Sequence, residues 1–320
     1  MTILSADVGG TNTRIALCDP HSLIPRDMRK IRNVDFDSLG TVLARYVAEA
    51  GHPSIAATCV AVAGPVRDGV GQLTNLDWSM DAPSLTAATG APVGMVLNDL
   101  EAQGHALPHV AARRILGNRC KSAAAQLVVG IGTGFNAAPV HPLGDGQVQV
   151  APSECGHVTL PVWDAPSLAL AQSISARSGF ASVEEVLSGR GLLHLYNHFA
   201  ALEGEPPATS TVEVITALGT DQTAGQRSAR FFATLLGRVL GDLTLIHLPW
   251  GGLYLIGGLA RAITPFLAPG GFEAAFLDKG RFSDFLRDFS IFLVEDDFSA
   301  LIGCASYARS RLNGMPPVHK

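Results

Sequence analysis

The apolar positions fall into short blocks closed by glycine, proline or asparagine, some running continuously and others spaced as helical stripes. The first block, Ile3 to Val8, predicts a strand. Asp7 stands near its end, Gly9-Gly10 turn the chain, and Ile15 to Cys18 return as a second strand, making a hairpin with a polar tip. A third strand is expected near Asp27–Asn33. Ser38 to Ala50 carries Leu39, Val42, Leu43, Tyr46 and Val47 at helical spacing, with Gly51 as the stop. Ile55 to Ala63 reads as a buried strand ended by Gly64-Pro65, Val70 to Leu73 as another, and Pro83 to Thr89 as a short helix. Val93 to Leu97 is a buried strand with Asn98-Asp99 at its end, and Leu100 to Leu107 continues as a helix. A first lobe is complete by about Pro108.

The pattern then begins again. Ala125 to Ile131 opens a second sheet, and Gly132-Thr133-Gly134 turns it into Phe135 to Val140. This is the opening device repeated, which suggests two related lobes. Val148 to Pro152 is a short strand, and helices are expected over 167–178, 182–187, 192–200, 212–218 and 223–246. The last carries Ala229, Ala233, Gly237 and Gly241, small enough for close packing. Leu253 to Ile256 is a strand leading through Gly257-Gly258 into a short helix; Phe289 to Val294 is a final strand and Ser299 to Leu312 a closing helix. The order is that of layered α/β structure.

Composition narrows the partners. At 320 residues the chain exceeds one compact core, and 47% apolar against 16% charged residues suits a large buried interior. A formal net charge of −5, with no run of Lys and Arg, argues against nucleic acid or an anionic membrane as partner. Five scattered cysteines form no Cys-x-x-Cys pair, so neither zinc nor a disulfide framework is expected. The start lacks signal-peptide character, and the apolar stretch Leu243 to Ala260 is interrupted by His247, Pro249, Gly251 and Gly252, so no membrane span is expected and the cytoplasm is the expected location.

The chemistry gathers at the two glycine turns. Adjacent glycines let backbone N–H groups approach an anion with no Cβ in the way. Thr11, Asn12 and Thr13 add side-chain donors, and Asp7 offers oxygen to a divalent metal, directly or through water. Arg14 either neutralises phosphate or braces the hairpin. No Walker A motif occurs, and Gly130-x-Gly132-x-Gly134 has the wrong spacing for a dinucleotide fingerprint. A bound nucleotide would instead lie between two Gly-Thr hairpins, with Gly257-Gly258 either a flat backbone surface for base or ribose or a helix start packed tightly on a sheet.

Six motifs stand in order: Asp7-Val8-Gly9-Gly10-Thr11-Asn12, Leu97-Asn98-Asp99, Gly130-Ile131-Gly132-Thr133-Gly134, Glu154-Cys155-Gly156-His157, Glu184-Glu185-Val186-Leu187-Ser188-Gly189 and Ile256-Gly257-Gly258. With them the chain resembles the bacterial glucokinases of the actin-like, hexokinase-type ATPase superfamily. The resemblance runs from about Ile3 to Leu312 and includes Leu277-Asp278-Lys279-Gly280-Arg281-Phe282. The cysteine-rich zinc motif of the related repressor/kinase group is absent, as in the zinc-free branch. The resemblance implies a two-lobed fold of ribonuclease H-like lobes with the active site in the interlobe cleft. The small α/β domain would be residues 1–108 plus about 300–320, and the large one residues 109–299. It implies a cytoplasmic homodimer that transfers phosphate from ATP, with Mg²⁺, to the 6-hydroxyl of glucose, giving glucose 6-phosphate and ADP, the entry step of glycolysis.

Site roles follow from the same resemblance. Asp99 is the base beside the attacking hydroxyl, its alternative being a helix N-cap that Asn98 could equally supply. Asn98, Asp99, Glu154, His157 and Glu184 hold the sugar, whose hydroxyls both donate and accept. Keeping Val-Leu-Ser-Gly in register selects Glu184 over Glu185. Gly9, Gly10, Thr11, Asn12, Gly132, Thr133, Gly134, Gly257 and Gly258 hold ATP, and Asp7 anchors Mg²⁺ through water. Two departures from the family pattern stand out. Asn136 replaces a usual glycine, where asparagine tolerates a positive φ, and Cys155 replaces glycine or alanine inside the sugar motif. Thr159 and Leu160 also replace an acidic–aromatic pair. These leave a kinase for glucosamine, mannose or fructose as an alternative. A non-catalytic sugar-sensing regulator is disfavoured by Asp99, by the net charge, and by a first strand at about Ile3 that leaves no room for a DNA-binding helix-turn-helix.

Overall fold

A computed structural model describes residues 1–73, 76–121 and 123–314; residues 315–320, assigned above to the first domain, lie outside the described residues. In chain order the elements are β1 (Thr2–Val8), β2 (Asn12–Cys18), β3 (Pro25–Arg32), α1 (Leu39–Glu49), β4 (Ile55–Val62), β5 (Val66–Arg67), β6 (Val70–Gln72), β7 (Ser79–Met80), α2 (Ala82–Thr89), β8 (Gly94–Asn98) and α3 (Asp99–Ala106). Then follow β9 (Ala112–Leu116), β10 (Gln126–Ile131), β11 (Phe135–Gly144), β12 (Gln147–Val150), α4 (Ala165–Ser178), α5 (Gly189–Glu203), α6 (Thr211–Leu218) and α7 (Thr223–His247). The chain closes with β13 (Leu253–Ile256), α8 (Gly258–Leu267), α9 (Phe272–Leu277), α10 (Ser283–Leu286), β14 (Ile291–Val294) and α11 (Ser299–Gly314). Two compact units result. The first holds residues 1–111, 142–150 and 296–314; the second holds Ala112–His141 and Ala151–Glu295.

The first unit is built on the sheet β3-β2-β1-β4-β8. β1 pairs antiparallel with β2 and parallel with β4, which pairs parallel with β8. β4 is buried along its whole length, as expected of a strand covered on both faces. Leu4, Ala6 and Val8 of β1 pack with Leu39, Val42, Leu43 and Tyr46 of α1 and Leu85 of α2. Ile3 faces the other way and joins Ala102 of α3 with Leu301, Cys304 and Ala308 of α11. The starts of α1 and α2 are capped against fraying. Ser38 caps α1 and Asp81 caps α2 through reciprocal bonds with Thr41 and Ser84, each cap worth about 1 kcal/mol.

The second unit is built on the strand order β11-β10-β13-β14-β9. β10 is antiparallel to β11 and parallel to β13, and β13 is parallel to β14. Four strands of each sheet thus follow one scheme, β2-β1-β4-β8 and β11-β10-β13-β14: a hairpin whose first strand lies parallel to the strands that come later. β9 adds an antiparallel edge beside β14. It escapes the apolar pattern because Arg113 and Arg114 sit in its middle, the first paired with Glu295 and the second stacked over Phe292. α7 is tightly packed as its small residues suggested: a Cβ at Gly237 would collide with the Phe272 carbonyl, and one at Gly241 would come 2.7 Å from the Phe276 carbonyl.

One expected helix is absent. Residues 182–187 form a bridge and turns, with Ser182 paired to Thr159. The N–H groups of Val183 and Glu184 go to the carbonyls of Val158 and Gly156, so they are bound across to another segment before a helix can begin. Val183, Val186 and Leu187 still reach the core, which is why their spacing imitated a helical stripe. Among the described residues no helix is long and apolar enough to cross a membrane.

His105 of α3 packs edge-on against Tyr307 of α11, ring centroids 4.9 Å apart, and is 7% exposed. Burial, seconded by the nearby Arg311, pushes its pKa down from 6.5 to about 4. The folded state therefore resists protonation that the unfolded chain accepts. Its stabilising effect is full above pH 6.5 and is lost as pH falls towards 4, by about 3 kcal/mol in all. His105→Leu should remove that portion of acid sensitivity. Urea midpoints measured between pH 7 and pH 4 check it, and an identical pH slope in the variant would contradict the assignment.

Candidate active site

Except for Glu154, His157 and Glu184, the residues expected in the site lie at the C-terminal end of a parallel strand of their own unit or within the few residues that follow it, through Asn12 at the start of β2, Asp99 at the start of α3 and Gly258 at the start of α8; this is the usual place for ligand groups in α/β sheets. In the first unit β1 delivers Asp7 opposite Arg14 of β2, and Arg14 Nη1 donates to Asp7 Oδ2 at 3.1 Å. Burial raises the pKa of the Asp7 carboxyl, and the Arg14 charge opposes that rise. Arg14 thus braces the hairpin. Among the described residues no cluster of three or more His, Cys, Asp or Glu side chains can hold a metal. A single carboxylate beside a glycine turn fits Mg²⁺, which takes one or two carboxylates together with substrate phosphates.

The turn Gly9–Thr11 is fastened by a residue the sequence did not single out. Asn33 is 1% exposed. Its Nδ2 donates to the Gly9 carbonyl at 2.7 Å, its Oδ1 accepts from Thr13 Oγ1 at 2.8 Å, and its N–H donates to the Thr11 carbonyl at 2.9 Å. Thr13 is therefore a buried brace and not a donor to a ligand, which corrects the reading of its side chain. Thr11 stays exposed at the tip, and Asn12 half-buried. Only a sequence signal for three-dimensional pairing could have found Asn33, since its partners lie some 20 residues upstream.

At the end of β8 the cap question resolves in favour of Asn98. Its Oδ1 accepts from Leu100 N at 2.9 Å and its Nδ2 donates to the Gly64 carbonyl at 3.0 Å, tying the ends of β4 and β8 to the start of α3. Asp99 occupies the first turn of α3, half-buried, and Oδ1 accepts from its neighbour Leu100 N at 2.8 Å.

In the second unit three segments meet on the start of β11. The turn closes through Gly132 N to the Gly134 carbonyl at 2.9 Å, and Gly189 at the start of α5 donates to the Gly132 carbonyl at 2.8 Å. Thr133 is exposed, as Thr11 is in the first unit. Glu184 Oε2 accepts from Phe135 N at 3.0 Å, and a Cβ at Gly134 would come within 2.6 Å of it, so that the carboxylate would have to shift. Glu184 N donates to the Gly156 carbonyl, and a Cβ at Gly156 would collide with the Phe135 carbonyl. Glu154 and His157, flanking that glycine, are exposed, and Cys155 is half-buried. The paired glutamates differ in their partners. Glu185 is held by Arg177 at 3.0 Å and Arg190 at 3.3 Å, whereas Glu184 lies 3.9 Å from Arg190 and accepts from Phe135 N beside the glycine turn.

Asn136 differs from expectation. It lies in regular strand opposite Gly130, without a positive φ. Its Oδ1 accepts from Cys155 N at 3.0 Å and its Nδ2 donates to the Ser153 carbonyl. Gly257 and Gly258 divide the two readings offered for them. Gly257 has φ 112° and packs so that a Cβ would lie 2.5 Å from the Ile131 carbonyl, while Gly258 opens α8 with nothing within 4 Å of its would-be Cβ. A cavity of about 680 Å³ in the first unit, lined by Glu101, His105 and Tyr307 among others, contains none of the expected site residues.

A strand, a glycine turn and a returning strand heading each of two mixed sheets define the fold of the actin-like sugar kinases. The glucokinase family profile matches residues 4–311, and the chain belongs to the glucokinase family. It is 32% identical to the glucokinase of Rhizobium johnstonii over 316 residues, 97% of this chain and 92% of that protein. The crystal structure of a glucokinase from an Antarctic psychrotroph superposes with a TM-score of 0.83 at 28% identity, covering 97% of this chain and 99% of that one. A ROK family glucokinase from Streptomyces griseus, in complex with glucose and AMPPNP, shares the fold with a TM-score of 0.69 at 18% identity, covering 97% and 100%.

The Asn33 clamp is testable by itself. Asn33→Ala leaves the buried Thr13 hydroxyl without its acceptor and should cost about 1–3 kcal/mol. The urea midpoint measures this, and amide exchange at Gly9 should quicken with it. An unchanged midpoint would mean that the hairpin ladder alone fixes the turn.

Proposed function

We propose that this chain transfers the γ-phosphoryl group of ATP to the 6-hydroxyl of glucose, giving glucose 6-phosphate and ADP, with Asp99 as general base. The observation that carries the reading is full-length membership of the glucokinase family, with Asp7, Asp99 and the two glycine turns all at carboxyl ends of parallel strands. Asp99 accepts the hydroxyl proton as the oxygen attacks phosphorus. Asn98, whose amide is spent on Leu100 and Gly64, chiefly fixes the helix start that aims Asp99, and a further N–H of the same amide remains for a sugar hydroxyl.

Glu154, His157 and Glu184 hold the hexose. Carboxylates accept from pairs of hydroxyls, and an epimer lacking one of those bonds strands a polar group. The backbone of Gly9, Gly10, Gly132 and Gly134, with Thr11, Asn12 and Thr133, receives phosphate oxygens, and Gly257-Gly258 the nucleoside. Asp7 would hold Mg²⁺ through water, and the ion would neutralise charge on the phosphates. The glucose and AMPPNP held by the Streptomyces griseus protein support this choice of substrates. Five unpaired cysteines, Cys18, Cys59 and Cys304 of them buried, suit a reduced cytoplasm.

Asp99→Ala should lower kcat by at least the roughly 10²–10⁴-fold expected of a general base, with the fold intact by circular dichroism. Near-normal turnover of glucose and MgATP in a coupled assay would remove Asp99 from that role. Glu154→Gln and His157→Ala should act mainly on the KM for glucose, and an unchanged KM in both would take them out of the sugar site. Mannose, fructose and glucosamine as competing substrates test the hexose assignment in the same assay.

A further inference from the structure

Asn136 and Cys155, two of the departures from the glucokinase pattern noted in the sequence, are hydrogen-bonded, Cys155 N donating to Asn136 Oδ1. We propose that Asn136 is a positioning residue for the sugar loop 153–157 and sets the enzyme's affinity for its hexose; the inference rests on the reading of Glu154 and His157 as sugar ligands. One side-chain amide holds both peptide groups that flank Glu154. The carbonyl of Ser153, on one side, accepts from Asn136 Nδ2; the N–H of Cys155, on the other, donates to Asn136 Oδ1 at 3.0 Å. Because the amide is planar, the two peptide planes are fixed relative to one another, and with them the direction in which Glu154 leaves the backbone.

The backbone at Glu154 needs such a hold. Its φ of −131° and ψ of 46° belong to no regular element. From there the loop enters a single tight turn, Cys155–His157, in which His157 N donates to the Glu154 carbonyl at 3.1 Å. An error in the orientation of Glu154 is therefore passed directly to His157. Ser153 Oγ also accepts from Cys155 N, at 3.2 Å, but it belongs to the loop itself and cannot anchor it to the sheet. Asn136 can, because its own backbone is locked in β11 opposite Gly130. The other tether, Glu184 N to the Gly156 carbonyl, acts on the far side of Cys155 and leaves the peptides around Glu154 untouched.

Steady-state kinetics on the full chain test this. In Asn136→Ala the KM for glucose should rise by roughly ten- to a hundredfold, as when a binding group is misplaced by about 1 Å, while kcat and the KM for MgATP stay within about threefold. Asn136→Asp keeps the acceptor for Cys155 N but sets an oxygen against the Ser153 carbonyl; it should show a smaller rise of several-fold, and it carries the test if the alanine variant does not fold. Glu154→Gln and His157→Ala are measured alongside. If they raise the KM and the Asn136 variants do not, the positioning role is overturned and the sugar site stands. If they leave it unchanged, the sugar-site reading fails and the inference falls with it. An equal loss in kcat and in both KM values would show a general loosening of the hairpin and would also overturn it.

Discussion

The backbone of Phe135 is the point on which the second unit turns. Its N–H is taken by the Glu184 carboxylate, and its carbonyl lies so close to residue 156 that only glycine fits there. Two segments remote in sequence are thereby pressed onto the residue that follows the glycine turn. A carboxylate bound to a backbone N–H is held far more firmly than one waiting in solvent, because a charged acceptor strengthens the bond. Glu184 consequently keeps little rotamer freedom in its place beside the turn.

The first unit solves the same problem with a different residue. Its glycine turn is held by the side chain of Asn33, at the far end of β3, in place of a charged group. Both units surround a flexible turn with partners that satisfy its polar groups and leave one threonine at the tip exposed. The turn keeps the freedom of glycine for close approach, while the surrounding bonds remove the entropy that glycine would otherwise bring. Asp7 shows the complementary arrangement. Its carboxylate is set against Arg14 across the ladder, which offsets part of the burial that raises its pKa.

The hairpins, the parallel strands and the long helix were legible because each rests on a local signal: an apolar run, a glycine pair, a stripe of small residues. Asn98 and Asp99 were legible as a cap and its neighbour, although the sequence left open which was which. What escaped reading depends on partners far along the chain. β9 hides its place in the sheet behind Arg113 and Arg114, whose charges are met by Glu295 and Phe292. Residues 182–187 looked helical because Val183, Val186 and Leu187 are buried, yet their backbone bonds run to residues 156 and 158. Asn136 was expected in a glycine-like conformation; its value lies in its side chain, which no local pattern discloses.

Gly257 and Gly258, adjacent and chemically identical, are under opposite constraints. Gly257 is doubly fixed, by a φ that L-residues avoid and by the Ile131 carbonyl where a side chain would begin. Gly258 faces open space. A side chain at the first position would strain the backbone and meet the Ile131 carbonyl, whereas at the second it would meet no neighbouring atom. Within a single dipeptide, then, one glycine is required by the sheet it packs on, while any need for glycine at the other comes from what approaches the start of α8 and not from the protein behind it.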